Sequence, residues 1–538
     1  MRKILIAGGV AGGASAAARL RRLDEKAEII LFERGEHISF ANCGLPYFIG
    51  DEITDKEELT LQTPESFHAR FNIDVRVFCE VMSIDIEAKV ITAKNHRTNE
   101  TYTESYDKLI LSPGAEPIRP NIEGINNNKV FTLRNIPDTF AIKDYIERNR
   151  SKSVAIVGGG FIGVEMAENL HAIGLKVTLI EMQEQIIPPL DYDMACDVHK
   201  YIEYKGVTLI LRNGVKSIVD NGETLTVKLS EGEVEVDILV MAIGVRPESS
   251  LAKNAGLAVD ERGHIIVSET METSDSNIFA VGDVVGPIPL AGPANKQGRI
   301  AADVICGLDS YYIGTQGSAI LKVFDMTIAS TGINEKTAKR LNYDYDKSFT
   351  YSASHATYYP GATNMSIKTI YEKTTGKILG AQIVGFQGVD KRCDVFATAI
   401  YGKMTAFDLA KLELCYAPPY SSAKDPVNMA GFVIENIMTD KIKNFHWHDV
   451  ENLPRDGSVT LLDVRSPMEY VSGTIDGFIN IPLDELRDRL TDLDKAKPVY
   501  ITCQVGLRGY LAARILMQNG FEVYNLNGGY RLYRSVLL

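Results

Sequence analysis

The chain of 538 residues has seven cysteines, and no two of them stand at Cys-x-x-Cys spacing. That absence argues against a disulfide framework and a zinc site. Tryptophan is nearly missing, with Trp447 alone. No apolar run approaches the roughly 20 residues that cross a bilayer, so no membrane partner is expected. Positive charge is in deficit, 57 Lys and Arg against 70 Asp and Glu, for a net charge of −13. Non-specific nucleic-acid binding is thereby disfavoured, while a local basic pocket for an anionic ligand remains open. The length suggests roughly three or four domains.

The opening "MRKILIAGGVAGGASAAARLRRL" has the basic start and apolar run of a secretory signal. The reading favoured here is a strand, Lys3 to Ala7, then a glycine turn and an amphipathic helix carrying Arg19, Arg21 and Arg22. The glycines stand where a dinucleotide-binding turn needs them, and a cytoplasmic location follows as the expectation.

This strand–turn–helix–strand pattern occurs twice. In "SVAIVGGGFIGVEMAENL", Gly158, Gly160 and Gly163 form a full G-x-G-x-x-G, and Glu181 closes the next strand, "KVTLIE". Glycines there permit a tight turn, approach of pyrophosphate to backbone, and close helix packing. A carboxylate at Glu181 accepts hydrogen bonds from a ribose and repels the 2′-phosphate of NADPH. It therefore favours NADH without fixing the ratio. The first copy has Gly8 and Gly13 at the outer places, Val10 in the middle one, and Glu33 about 20 residues on.

A third segment, "TSDSNIFAVGDV" (273–284), resembles the second FAD signature of two-dinucleotide flavoprotein reductases. "LILSPGAEP" and "LVMAIGVRPE" resemble the strands at the crossings between their FAD and NAD domains. With "SFANCGLPYF" (39–48) and "YAPPYSSAKDP" (416–426), residues 1 to about 440 resemble the single-cysteine pyridine nucleotide–disulfide oxidoreductases, most closely the coenzyme A-disulfide reductases. The usual second cysteine, five residues after Cys43, is here Phe48. Cys43 would then alternate between a thiolate and a capped form, with the second sulfur supplied by a substrate.

The resemblance implies FAD on the first fold, NADH or NADPH on the second, and hydride passing from nicotinamide to flavin. It assigns the cofactors Gly8, Gly9, Val10, Ala11, Gly12, Gly13, Glu33, Arg34, Pro113 and Gly114, then Gly158, Gly160, Phe161, Ile162, Gly163, Glu165, Glu181 and Gly244. Gly282, Asp283 (on the ribityl chain), Ala291, Ala294 and Tyr416 complete that set. Coenzyme A carries phosphates and calls for fixed cations. Arg19 and Arg22, three apart on one helix face, could clamp such an anion. By resemblance Ser15, Ser39, Asn42, Arg70, Asn295 and Lys424 join them. Tyr358 and Tyr416 match a tyrosine pair that reaches the partner subunit's cysteine, which implies a homodimer with shared active sites. Tyr359 and Tyr420 stand close enough to leave that assignment open. Relatives that reduce oxygen or peroxide place a histidine where Ala11 stands, which counts against a sulfenate cycle.

Beyond residue 440 the motifs "DVR…EY", "CQVGLR" and "LNGGY" resemble a rhodanese domain. Cys503 would carry sulfane sulfur as a persulfide. The loop amides, the following helix N-terminus and Arg508 all favour its thiolate if Arg508 folds over the loop. The loop is one residue shorter than that usual in cysteine phosphatases, which favours sulfur over phosphate. His446 and His448 flank Trp447 without further ligands, and no metal is expected.

The expected architecture is α/β. Two Rossmann-like dinucleotide-binding domains (FAD, 1–149 and 273–320; NAD(P)H, 150–272) precede an α+β dimerisation domain (321–440) and a rhodanese-like α/β domain (445–538). The expected activity is NAD(P)H-dependent, FAD-mediated reduction of coenzyme A persulfide, coenzyme A disulfide or polysulfide through Cys43. Cys503 would supply sulfur, and hydrosulfide would be released. The alternatives are an NADH oxidase or peroxidase using a Cys43 sulfenic acid, a redox or sulfur sensor, and a sulfur carrier.

Overall fold

The computed structural model describes residues 2–286 and 288–537 and divides into two compact units. The first takes the chain up to Gln183 together with Val207–Thr315. The second takes Glu184–Gly206 and the chain from Gln316 onward.

Two five-stranded sheets build the first unit. One orders Ile278–Ala280, Lys108–Leu111, Lys3–Ala7, Glu28–Glu33 and Asp74–Val77, all parallel. The other orders Thr208–Ile210, Lys176–Ile180, Ser153–Val157, Ile238–Met241 and Val130–Thr132, also parallel. Their central strands, "KILIA" and "SVAIV", are continuous apolar runs and are buried almost throughout, as strands covered on both faces must be.

Each sheet feeds a helix through a glycine turn, Ala11–Leu23 in one and Phe161–Ala172 in the other. A Cβ on Gly13 would lie 1.9 Å from the carbonyl oxygen of Gly8, and one on Gly163 would lie 1.9 Å from that of Gly158. The two turns therefore obey the same steric rule despite Val10. Helix Ala291–Ile305 crosses helix Ala11–Leu23 where a Cβ on Gly298 would stand 2.3 Å from the Gly12 carbonyl oxygen. This close crossing brings Ser15, Arg19, Asn295 and Arg299 to one surface.

In the second unit, a five-stranded antiparallel sheet runs Ala319–Val323, Met326–Gly332, Ile378–Gly385, Asn364–Glu372 and Tyr345–Ala353. Helices Val389–Tyr401 and Pro426–Met438 share its core through Phe396 and Ile434. A second sheet, parallel, orders Lys443–Phe445, Val523–Leu526, Val499–Thr502, Thr460–Asp463 and Ile479–Asn480. From sequence, only the apolar runs around Leu461 and Tyr500 announce strands. The other three, Lys443–Phe445, Ile479–Asn480 and Val523–Leu526, each include an asparagine that interrupts the apolar run.

Residues 184–206 fall inside the expected 150–272 domain but cluster with the second unit. Their Asp191 and Asp193 are buried and meet the fully buried Lys368 at 3.0 and 2.8 Å. Glu335 joins Lys368 at 2.9 Å and Lys347 at 2.8 Å, while Trp447 donates its indole N–H to Asp193 at 3.3 Å. Asn527 adds a polar clasp, accepting from the Phe349 amide and donating to the Lys347 carbonyl.

Candidate active sites

Cys43 sits in the turn Asn42–Gly44, exposed, directly before helix Leu45–Ile49. Five residues on, Phe48 is buried, packs edge-on against Phe140 at 5.6 Å, and carries the Lys143 ammonium 4.5 Å from its ring centre. The place of a second thiol is thus part of the core. Although Cys43 is open to solvent, the protein mass around its sulfur, then the carboxylates of Glu165 and Asp283, push its thiol up. Glu165 itself is pushed up to about 7, by burial and then by Glu168. An acid poised near neutrality thus acts on the thiol electrostatically, and its protonation weakens the penalty on the thiolate.

Both glycine turns have the backbone geometry that a dinucleotide such as FAD or a pyridine nucleotide needs. Gly8 (φ +104°) lies so close to Ser112 that its Cβ would be 2.0 Å from that carbonyl oxygen; Gly158 (φ +111°) stands in the same relation to Ala242, at 2.3 Å. At Gly160 and Gly114, by contrast, an added Cβ would meet nothing within 4 Å, leaving backbone open to a ligand. Glu33 accepts from the amides of Gly9 and Gly35, and Glu181 from those of Gly159 and Gln183. Both carboxylates are pre-aimed at their turns and retain lone pairs for ribose hydroxyls. Gly282, φ +84°, donates to the buried Gln297 ahead of Asp283, whose carboxyl is raised by burial. Arg34 shares the Glu116 carboxylate with Arg134. The residues fit two dinucleotides.

A pocket of about 370 Å³ opens beside the helix crossing. It is lined by Ser15, Arg19, Arg22, Ser39, Arg70 and Asn295 of the expected set, and by Gln62 and Arg299, which sequence reasoning missed. Arg299 stands one turn beyond Asn295 on the same helix, so its i,i+4 spacing was the available signal. Gln62 precedes the Thr63 cap of helix Pro64–Phe71, which carries Arg70, and nothing in its own spacing marks it. Arg19 pairs with Asp303 at 2.7 Å, whereas Arg22 is exposed. Asn42 lies outside this lining, in the Cys43 turn. Lys424 is exposed in the second unit, just before the buried Asp425.

Of the four tyrosines left open, the structure pairs Tyr358 and Tyr416, hydroxyl to hydroxyl at 2.9 Å. Tyr359 instead packs edge-on against His355, at 5.8 Å. The pair is exposed, on segments clamped together by Arg392. This buried guanidinium donates to the Ser354 carbonyl, to Ser421 and to Asp425.

Cys503 follows strand Val499–Thr502 and precedes helix Leu507–Gln518. Its sulfur is buried and accepts from the Gly506 amide at 3.1 Å, where φ of +101° turns that N–H inward. Arg508 lies near enough to act on the sulfur electrostatically and also has a carboxylate partner. It forms a two-pronged pair with Glu469, at 2.7 and 2.6 Å. Burial pushes the Cys503 thiol up, against the amides of Gly509, Val505 and Gly506 and the weaker pull of Arg508. The thiolate expected from the loop is therefore opposed by the protein around it.

Comparison with known proteins bears on all of this. Residues 2–298 match the pyridine nucleotide-disulphide oxidoreductase family, 318–426 the dimerisation domain of that family, and 446–535 the rhodanese-like domain. The chain belongs to the pyridine nucleotide-disulphide oxidoreductases. This oxidoreductase is 37% identical to the coenzyme A disulfide reductase of Staphylococcus haemolyticus (strain JCSC1435), over 80% of this chain and 99% of that one. Among solved structures it resembles reduced Bacillus anthracis CoADR-RHD at 53% identity and a TM-score of 0.97, over 100% of this chain and 98% of that one. It also resembles a NAD-dependent persulfide reductase from A. fulgidus, at 36% identity and a TM-score of 0.92, covering 98% and 99% of the two chains. Among the described residues no helix is long and apolar enough to cross a membrane, and no cluster of metal-ligating side chains occurs.

Proposed function

We propose that this oxidoreductase reduces coenzyme A persulfide and coenzyme A disulfide with NADH, and that its rhodanese domain carries sulfane sulfur on Cys503. The carrying observation is the arginine-lined pocket, which shares Ser39 with the segment that presents the lone thiol. Phosphates of the coenzyme occupy the guanidiniums of Arg22, Arg70 and Arg299, and the pantetheine thiol end extends toward Cys43. The names of the relatives support the same substrate class.

Cys43 thiolate attacks the coenzyme-bound sulfur of CoA–S–SH. A Cys43–S–S–CoA bond forms, the outer S–S bond breaks, and hydrosulfide leaves with its electron pair. Bound FAD supplies the two-electron relay from NADH that splits this mixed disulfide. Thiolate returns to Cys43 and coenzyme A departs. In a homodimer with shared sites, the Tyr358 and Tyr416 hydroxyls donate hydrogen bonds to the departing sulfur. Glu181 makes NADH the better donor.

Anaerobic NADH consumption with coenzyme A persulfide tests this. About one hydrosulfide per NADH is expected, as for any two-electron S–S reduction. Negligible turnover there, beside fast turnover on oxygen, would make the flavin half an oxidase and defeat the proposal. Arg22→Ala should raise KM for coenzyme A substrates about tenfold and leave kcat nearly unchanged, because a phosphate contact binds ground and transition states alike. An unaltered KM in steady-state kinetics would remove Arg22 from the site.

A further inference from the structure

The Cys503 loop is built on the turn that follows strand Val523–Leu526. The Tyr530 amide donates to the Cys503 carbonyl at 2.7 Å, and the Arg531 amide to the Gln504 carbonyl at 2.9 Å. Gly529, φ +64°, is pressed against the loop: a Cβ there would lie 2.5 Å from the Cys503 carbonyl oxygen and 2.8 Å from the Val505 nitrogen. These contacts hold the peptides whose amides favour the thiolate, those of Gly509, Val505 and Gly506. The loop's charged group, Arg508, is held by Glu469 and not by this turn.

The same turn is anchored outside the rhodanese sheet. Strand Tyr345–Ala353 is an outer strand of the antiparallel sheet, and an outer strand leaves alternate peptides without a strand partner. At Lys347 and Phe349 the partner is the Asn527 side chain. It donates to the Lys347 carbonyl at 2.8 Å and accepts from the Phe349 amide at 3.0 Å. Its carboxamide thus stands in for the peptide of a neighbouring strand. Asn527 is only 3% exposed, so water does not reach this clasp freely. Helix Gly529–Leu537, which continues from the turn, has a second anchor. Ser535 donates to Asp197 at 2.8 Å, and Arg531 lies 3.9 Å from the same carboxylate, on helix Tyr192–Tyr204.

We propose that Asn527 is a positioning residue for sulfur transfer: by clasping the dimerisation sheet it holds the turn that shapes the Cys503 loop. The sulfur site is then complete only while the rhodanese domain is docked on that sheet. This rests on the sulfurtransferase reading above and makes the dimerisation domain a structural part of the site. Loss of the clasp strands the Lys347 carbonyl and the Phe349 amide in a dry contact, and the turn must shift to admit water to them. That shift draws the Tyr530 amide off the Cys503 carbonyl, the loop peptides rotate, and their amides lose their aim at the sulfur. A smaller thiolate fraction slows attack. With hydropolysulfide, HS–Sₙ⁻, as probe, Cys503 thiolate attacks the protonated end sulfur and Cys503–S–SH forms. The S–S bond behind that sulfur breaks, and Sₙ²⁻ leaves with the electron pair.

The test uses the full-length, flavin-loaded protein and follows the peptide carrying Cys503 by mass spectrometry. One readout is loading from hydropolysulfide, anaerobic and without NADH; the other is alkylation by iodoacetamide as a function of pH. Asn527→Ala should slow loading about tenfold at neutral pH and raise the midpoint of the alkylation profile by about one pH unit, the effect of one hydrogen bond lost from a thiolate. Asp197→Ala, which lies outside the rhodanese domain, should act in the same direction, by about threefold. Reduction of coenzyme A disulfide by NADH should be unchanged in both variants. A purely structural role would lower the urea midpoint and leave the pH profile of the folded protein where it was. An unmoved profile in Asn527→Ala would therefore overturn the proposal, as would an equal loss of NADH-dependent reduction. Failure of wild type to load would overturn the sulfurtransferase reading, and this inference with it.

Discussion

Cys43→Ser is expected to cut NADH-dependent reduction of coenzyme A persulfide and disulfide by at least about a thousandfold. A serine hydroxyl has the size of the thiol but neither its acidity nor its affinity for sulfur. No other thiol stands in the Cys43 turn, and the place five residues on is filled by the packed ring of Phe48. Because Cys43 is exposed in a short turn, the substitution removes no core contact, and bound flavin should keep its visible spectrum. Sulfur loading on Cys503 should be unaffected, since that residue belongs to a separate sheet with its own loop. Rapid-mixing absorbance of NADH under anaerobic conditions measures the first effect, and mass spectrometry the second. Full-rate reduction by the serine variant would refute the mixed-disulfide mechanism.

Lys368→Ala is expected to be the most damaging single change to stability, at roughly 3–5 kcal/mol, the cost of stranding buried charge. Lys368 is wholly inaccessible and serves three carboxylates, of Asp193, Asp191 and Glu335. Burial alone would strip its proton, but those carboxylates hold it charged, well above the ordinary lysine range. Removing it leaves Lys347, the exposed Lys339 and Tyr345 on Glu335, Gln382 and two backbone amides on Asp191, and Trp447 on Asp193. Trp447 is the chain's single tryptophan, and its indole N–H points at Asp193, so its fluorescence reports on this cluster directly during urea unfolding. A transition shifted by less than about 1 kcal/mol would mean that water or rearranged side chains compensate for the missing charge.

The same cluster sets a pH dependence. Burial pushes the Glu335 carboxyl up, but Lys368 and Lys347 outweigh it and hold the group far below its usual range. A carboxyl depressed in the folded state contributes stability that is present above its unfolded value, about 4.3, and is lost as pH falls through the folded value. Wild type should therefore weaken progressively in acid below about pH 5. Lys368→Ala, already without the Lys368 share of that depression, should show a shallower acid slope.

Fold class and family were open to sequence reasoning because they rest on local rules. Glycines at 8, 13, 158, 160 and 163 act over a few residues, and apolar runs such as "KILIA" and "SVAIV" announce strands covered on both faces. Cys43, Cys503 and the arginine pair were likewise legible from neighbours along the chain. Three kinds of information were not. Arg299 enters the pocket because two helices cross at Gly12 and Gly298, a contact between residues nearly 300 apart, and Gln62 because the segment before helix Pro64–Phe71 reaches the same pocket. Segment 184–206 joins the second unit because buried aspartates need Lys368, and sequence position says nothing about where a charge finds its partner. Arg508 reads as a cation near the Cys503 sulfur, and its pairing with Glu469, 39 residues earlier, is not announced by its own neighbours along the chain. Short-range sterics and patterning thus determined which folds form and which residues are candidates to carry sulfur. Only tertiary structure decided which charges are free to act, because an ion's availability depends on what packs within a few ångströms of it.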